Sequence, residues 1–371
     1  MEDSNHQSTL SSAVLIGFND DLLTEILLRL PVSSILRFKS VSKHWRWLLS
    51  HRSFTLRFDK LLKSPGLFLR NVYVPFDVED RSPPPFRTLD FCFDPHGIRI
   101  VQSCNGLLLC CSDTLERADC KYYVFNPTTK QYAIIPSVTT RDHETIRFMG
   151  LAFNETDCVH YKIICIYALE PFGKLFQIQM YSSNIRQWKI SIESFSMDWP
   201  FSLDGVYCNK AFHWCSIYRH EIYSFKVDVE QMQTMPLPVM SSGDFHNLML
   251  APLYFGESRG YLHLVESPSP KKRFDVNVYE MLMDHSVWFL KYHVELDELS
   301  APFSMIDYLL YRGLHVCDVV RGEKEGDTFM VVCFHGRMIR YNVHDKSFEQ
   351  IFSFTKLYEG VHRYTETLAL L

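Results

Sequence analysis

The sequence predicts an α+β chain, a small N-terminal three-helix module followed by a large all-β, propeller-like domain of five or six blades. Three observations carry this. Apolar residues recur at helical spacing between residues 18 and 58, and beyond about residue 65 the period shortens to two. A group of short strands then recurs about every fifty residues, the spacing of four-stranded propeller blades.

The helical module spans residues 15–60. Leu22, Leu23, Ile26, Leu27 and Leu30 share one helix face, Asn19 stands where an N-cap belongs, and Asp20 and Asp21 suit the positive helix end. Pro31 stops this helix. A second starts near Ser33 with Ile35, Leu36 and Phe38, and a third near Ser42 with Trp45, Leu48 and Leu49. So small a unit holds more apolar surface than it can bury alone. Leu22, Leu23, Ile26, Pro31, Val32, Ile35 and Leu36 form a patch suited to a protein interface. From Arg29 to Phe58 there are seven Lys or Arg residues and no Asp or Glu, a run that would steer an acidic partner. Nucleic acid is disfavoured as that partner, since the whole chain carries a net charge of −5.

Composition bounds the rest. With 371 residues, 47% hydrophobic and 22% charged, the chain has room for more than one globular domain. Residues 1–14 are polar, Ser-rich and read as a disordered tail. The apolar run at residues 13–18 is too short for a signal or a membrane span, so the expected setting is intracellular, nucleus and/or cytoplasm, with no membrane partner. Eleven cysteines, an odd number without a CxxC pair, read as free buried thiols rather than zinc ligands.

The β domain is expected over residues 65–371. Residues 66–69, 98–101, 107–110 and 122–125 read as strands between Gly, Pro, Asn and Asp turns, and residues 81–85 as a stiff proline-rich loop. The clearest repeat runs from Tyr122 through Asn126, Pro127, Thr128, Thr129 and Lys130 to Pro136. Later copies cover residues 176–190, 222–238, 274–290 and 338–351. A strand at residues 364–371 is expected to pack near the start of the domain and close the ring. Asn105 with Gly106, and Asn126 with Pro127, are turn formers before they are ligand contacts. The charged loops at residues 267–273 and 321–327 carry no decipherable recognition code.

Two resemblances add to this reading. Asp21, Leu22, Leu23, Glu25, Ile26, Leu27, Leu30 and Pro31, then Ile35 to Lys39, Val41, Lys43 and Trp45, then Leu48, Leu49, Arg52 and Phe54 resemble an F-box, the adaptor-binding module of SCF-type ubiquitin ligases. Phe18 and Asn19 replace its usual Leu-Pro opening, an apolar anchor and an N-cap in place of a first-turn proline. The run from Ser103 to Leu109, with Asn126 to Lys130, looks like the opening of the F-box-associated domain of plant F-box proteins, kelch-like in layout though without the kelch double glycine.

The resemblance implies a substrate-recognition subunit of an SCF-type cullin-RING ubiquitin ligase. The F-box would bind a Skp-type adaptor through Leu22, Leu23, Ile26, Leu27, Pro31, Val32, Ile35 and Leu36, and through it the cullin and RING subunits. Phe18, Trp45 and Leu48 would hold the module together. The β domain would bind a target protein that the sequence does not identify. No nucleophile with its base, GxSxG elbow, phosphate-cradling Gly-rich loop or HExxH helix occurs, so no catalytic residue, metal or cofactor is expected. His213, His263 and His335 occupy comparable places in their units and could converge on a channel, but read as core or edge histidines. A propeller that binds without ubiquitylation, or a metal- or sugar-dependent propeller enzyme, are the alternatives.

Overall fold

The computed structural model describes residues 19–61, 66–77, 89, 97–113, 120–138, 145–153, 160–170, 174–196, 205–216, 220–238, 252–268, 274–282, 287–296, 299, 314–334, 336–354, 360–369 and 371. The expectations for residues 1–14, Phe18, the 81–85 loop, Cys92, Cys158, residues 269–273 and His335 lie outside them.

The helical module has four helices among the described residues: α1 (Asp20–Leu27), α2 (Val32–Phe38), α3 (Lys43–Ser50) and α4 (Arg52–Leu61). Asn19 Oδ1 accepts from Leu22 N at 3.1 Å, so the expected cap forms, and Ser42, the expected start of the third helix, caps it in the same way through Oγ, which accepts from Trp45 N at 3.0 Å. Pro31 serves less as the stop of α1 than as the N-cap residue of α2, because α1 already ends at Leu27. Three helices were expected and a fourth is present. His51 breaks the helix by adopting extended backbone, and its carbonyl then accepts from Phe54 N and Thr55 N to start α4. The new helix buries Phe54 and Phe58, one turn apart, with their rings stacked at 5.8 Å.

The β domain comprises β1 (Gly66–Leu69), β2 (Val72–Pro75), β3 (Ile98–Cys104), β4 (Leu107–Ser112), β5 (Tyr122–Asn126), β6 (Gln131–Ile135), β7 (Thr145–Phe153), β8 (Tyr161–Ala168), β9 (Leu175–Ser182), β10 (Gln187–Ser196), β11 (Val206–Cys208) and β12 (Ala211–Ser216). It continues with β13 (Glu221–Lys226), β14 (Gln231–Pro236), β15 (Tyr254–Ser258), β16 (Tyr261–Glu266), β17 (Asp275–Met281), β18 (Trp288–Glu295), β19 (His315–Val320), β20 (Phe329–Phe334), β21 (Arg337–Asn342), β22 (Phe348–Ser353) and β23 (Val361–Tyr364). Every pairing is antiparallel between neighbours. Five four-stranded sheets, β3 to β6, β7 to β10, β11 to β14, β15 to β18 and β19 to β22, are joined by a three-stranded sheet in the order β2-β1-β23. That makes six blades.

The first strand of each four-stranded blade lies innermost: β3 contacts β7, β7 contacts β11, β11 contacts β15 and β15 contacts β19, while β23 contacts β3. The middle strands are the driest. β4, β12 and β20 are buried along their whole length, whereas outer strands such as β14 and β22 are mostly exposed. A backbone repeat accompanies the sequence repeat. The residue just before, or two before, the outer strand has positive φ in four blades, at Lys130, Arg186, Glu230 and Lys346.

Closure works as expected in kind but not in register. The strand that pairs with β1 is residues 361–364, so it ends where it was expected to begin, with Gly66 opposite Tyr364 and Leu69 opposite Val361. Arg363 on β23 donates through Nε at 2.7 Å to Asp318 of β19, and Tyr254 of β15 donates to the same carboxylate at 2.8 Å. Burial works against the Arg363 charge, but Asp318 outweighs it and holds the guanidinium protonated above its usual range. The polar centre of the ring thus ties the last inner strand to two others.

Candidate protein-binding surface

The eight residues expected to contact an adaptor divide into two groups. Leu23, Leu27, Val32 and Ile35 are between 0 and 6% exposed and form the module's own core with Leu48, Leu49, Phe54 and Phe58. Leu22 and Ile26 are 51% and 46% exposed, and Pro31 is exposed with them. Leu36 is half-buried and packs against the same core. Helical geometry explains the split: positions 23 and 27 are one turn apart and face inward, and positions 22 and 26 lie about 100° round the axis from them. Of these eight residues, Leu22, Ile26 and Pro31 are the ones whose side chains lie exposed on the module.

Trp45 is half-buried, its ring edge-on to Phe38 at 5.4 Å, and Leu48 is buried. Two residues that the sequence reading did not single out for contact add apolar surface. Val41 and Trp47 are 59% and 58% exposed, and the Trp47 ring stacks on His44 at 6.3 Å. The signal was available for Trp47: Trp45 and Trp47 are two positions apart on one helix, about 200°, so both cannot face the core.

The basic run is partly neutralised. Arg29 and Arg57 both pair with Glu25, and Arg57 chiefly holds the Glu25 carboxyl below its usual range. Asp20 pairs with His44 at 2.8 Å, tying α1 to α3.

The module is fastened to the propeller by residues 364–369. Leu368 has no exposed surface and belongs to the core of the helical module rather than to a blade. Asp59 of α4 accepts from Thr367 Oγ1 at 2.6 Å and from Leu368 N at 3.1 Å. On the other side, Asn126 Nδ2 donates to Thr367 O at 3.2 Å and to Ala369 O at 2.8 Å. The Thr128 hydroxyl meets Tyr364 Oη at 2.8 Å and accepts from Thr367 N at 3.3 Å. Asn126, read in the sequence with Pro127 as a turn former, therefore also grips, together with Thr128, the segment that carries Leu368. Gly106 has φ +85, and a Cβ there would lie 2.6 Å from Thr365 O and closer still to the Thr367 side chain. That glycine is needed for both conformation and approach.

His213 and His263 occupy second strands of adjacent blades and are each engaged within their own sheet. His213 Nε2 lies 3.3 Å from Cys208 O, and His263 Nε2 lies 3.1 Å from Glu280 Oε2. Among the described residues no group of three or more His, Cys, Asp or Glu side chains could hold a metal ion. Nine cysteines are described and free; the thiols of Cys317 and Cys333 meet at 2.9 Å. A hydrogen bond with Cys333 and burial together push the Cys317 thiol well above its ordinary value. The turn from Arg321 to Asp327 is held by its own charges, Arg321 lying over the Tyr261 ring at 3.6 Å and Glu323 pairing with Arg259 at 3.2 Å.

The molecule is thus a helical module with an exposed apolar patch, clamped to a closed six-bladed ring. Comparison with known families gives the particular class. Residues 15–56 match the F-box domain and residues 81–361 match the F-box associated beta propeller domain, so the chain belongs to the plant F-box proteins with a C-terminal F-box-associated propeller. It is 29% identical over 381 residues to F-box protein At5g07610 of Arabidopsis thaliana, covering 94% of this chain and 88% of that one. To F-box protein At5g49610 of the same plant it is 38% identical over 134 residues, 35% of each chain. Among solved structures it is similar to TolB from Acinetobacter baumannii, with a TM-score of 0.42, 11% identity and coverage of 84% of this chain and 72% of that one. An F-box joined to such a propeller is the composition of an F-box substrate receptor.

Proposed function

We propose that this chain is the substrate-recognition subunit of an SCF-type cullin-RING ubiquitin ligase, working inside the cell in the nucleus, the cytoplasm or both. Its F-box docks a Skp-type adaptor, which carries the cullin and RING subunits, and its propeller holds the target protein. The contribution to the reaction is proximity: target lysines are kept within reach of a conjugating enzyme bound elsewhere in the assembly. The observation that supports this reading best is the patch of Leu22, Ile26 and Pro31, left exposed on a module whose core is already closed by Leu23, Leu27, Val32 and Ile35. Lys and Arg side chains of the module that Glu25 does not neutralise would speed encounter with an acidic adaptor.

The test is binding of the full chain and a Leu22→Glu, Ile26→Glu variant to a purified Skp-type adaptor. Both side chains are about half exposed, so the variant should fold. Their burial at an interface is worth on the order of 1 kcal/mol each, and the affinity is expected to fall at least about tenfold. Undiminished binding by the folded variant would remove this patch from the interface. Absence of binding by the folded parent chain would leave the propeller as a binding protein that acts without ubiquitylation.

A further inference from the structure

Between the F-box and the propeller lies an open cleft of about 570 Å³, lined by Ser33, Leu36, Arg37 and Lys39 of α2 and by Thr128, Thr129, Lys130 and Gln131 of the turn into β6. Three of these eight residues are cations and none is a carboxylate. Elsewhere in the module Arg29 and Arg57 share Glu25, but among the described residues Arg37, Lys39 and Lys130 form no close ion pair. Asp59 exerts some pull on Lys39, yet its two carboxylate oxygens already accept from Thr367 and Leu368. Burial lowers the Lys39 ammonium from its ordinary value, as expected of a charge short of compensation.

We propose that this cleft binds a small, multiply phosphorylated compound that braces the joint between the two domains. The three cations of the lining match a compact anion of similar charge, with the Arg37 guanidinium suited to two phosphate oxygens at once. The volume fits a small molecule and is too small for a folded partner segment. A nucleic acid is a poorer match, because the chain as a whole is negative and the positive lining is confined to one cleft. Since α2 supplies one wall and the propeller the other, an occupant ties the F-box to the ring in addition to the Leu368 contact. Its lining does not include Leu22, Ile26 or Pro31, and its test does not depend on adaptor binding.

The probe is inorganic tripolyphosphate added to the full chain at constant ionic strength, read by calorimetric titration and thermal unfolding. One saturable site per chain is expected, with the melting temperature raised by about 3 °C at strong excess of the probe. The variant Arg37→Gln, Lys130→Gln alters only exposed side chains and is expected to melt close to the parent without probe but to bind it at least about tenfold more weakly. Lys130→Glu alone gives a second reading should the double variant fold poorly. The proposal is overturned by absence of saturable binding, by equal stabilisation with sulfate at matched ionic strength, or by unchanged affinity in the folded variants.

Discussion

Leu368→Ala is the most discriminating perturbation of this molecule, because one side chain belongs in sequence to the propeller and in space to the F-box. It has no exposed surface and packs into the core that contains Leu23, Leu27, Ile35 and Phe54. Truncating a fully buried leucine costs about 2–5 kcal/mol, the transfer of its lost atoms plus the cavity they leave. A value of about 3 kcal/mol corresponds to a roughly hundredfold larger population of the opened joint. The loss should be local. Tyr364 stays anchored by its hydroxyl on Thr128 and by ring contacts to Phe68 and Tyr73 at 5.1 and 6.0 Å, so the ring remains closed. Amide hydrogen exchange is the assay, comparing α1 and α4 with β4, a strand buried along its length. Exchange in the helices is expected to accelerate by about two orders of magnitude while β4 keeps its protection. Unchanged helices, or a ring that loosens as much as the helices do, would refute the account of Leu368 as the fastener.

Two further outcomes follow from the same joint. Gly106→Ala should lower the melting temperature more than Gly97→Ala: both positions have positive φ, but a Cβ at Gly106 strikes Thr365 and Thr367 while one at Gly97 meets open space. The Gly97 change isolates the conformational cost of about 1 kcal/mol, and equal losses at the two sites would show that the Thr365 to Thr367 segment gives way freely. His362, on the closing strand, has its pKa lowered to about 4, chiefly by burial. Its folded value lies below its unfolded value, so its contribution is complete above about pH 6.5 and is lost as pH falls toward 4, at up to about 1.4 kcal/mol per pH unit. In His362→Gln, denaturant titrations from pH 7 to 4 should show a shallower loss of stability than the parent, and an identical slope would exclude His362 as a contributor.

Legibility in the sequence followed the range of the interactions involved. Helix starts are local, so Asn19 announced its cap and Ser42 the start of the third helix, and the repeat of an apolar strand, a polar turn and an aromatic strand announced five blades by their outer pairs. The sixth blade has no such pair: β23, β1 and β2 come from opposite ends of the chain, and neither end shows the repeat. Which face of α1 turns inward was likewise hidden. Leu22, Leu23, Ile26 and Leu27 form one continuous apolar stripe, and the side of it that is covered depends on α4 and on Leu368, which no local pattern connects to it. Asn126 with Pro127 read correctly as the start of a turn, and Thr128 lies within that turn. The second role of Asn126 and Thr128, gripping residues 364–369, arises from partners more than two hundred positions away.

The insertion of Leu368 into the F-box core also bears on how the protein is made. Leu368 lies 309 positions beyond Asp59, to which its backbone is bonded, so the F-box leaves the ribosome long before its own core can be finished. At ordinary elongation rates of about 5–20 residues per second the wait is roughly 15 to 60 s. Throughout it the nascent helices carry an unfilled apolar socket, and a chain terminated early keeps that socket empty. Leu368 follows β23 by only four residues, so the core of the F-box is completed by the same C-terminal segment that closes the ring.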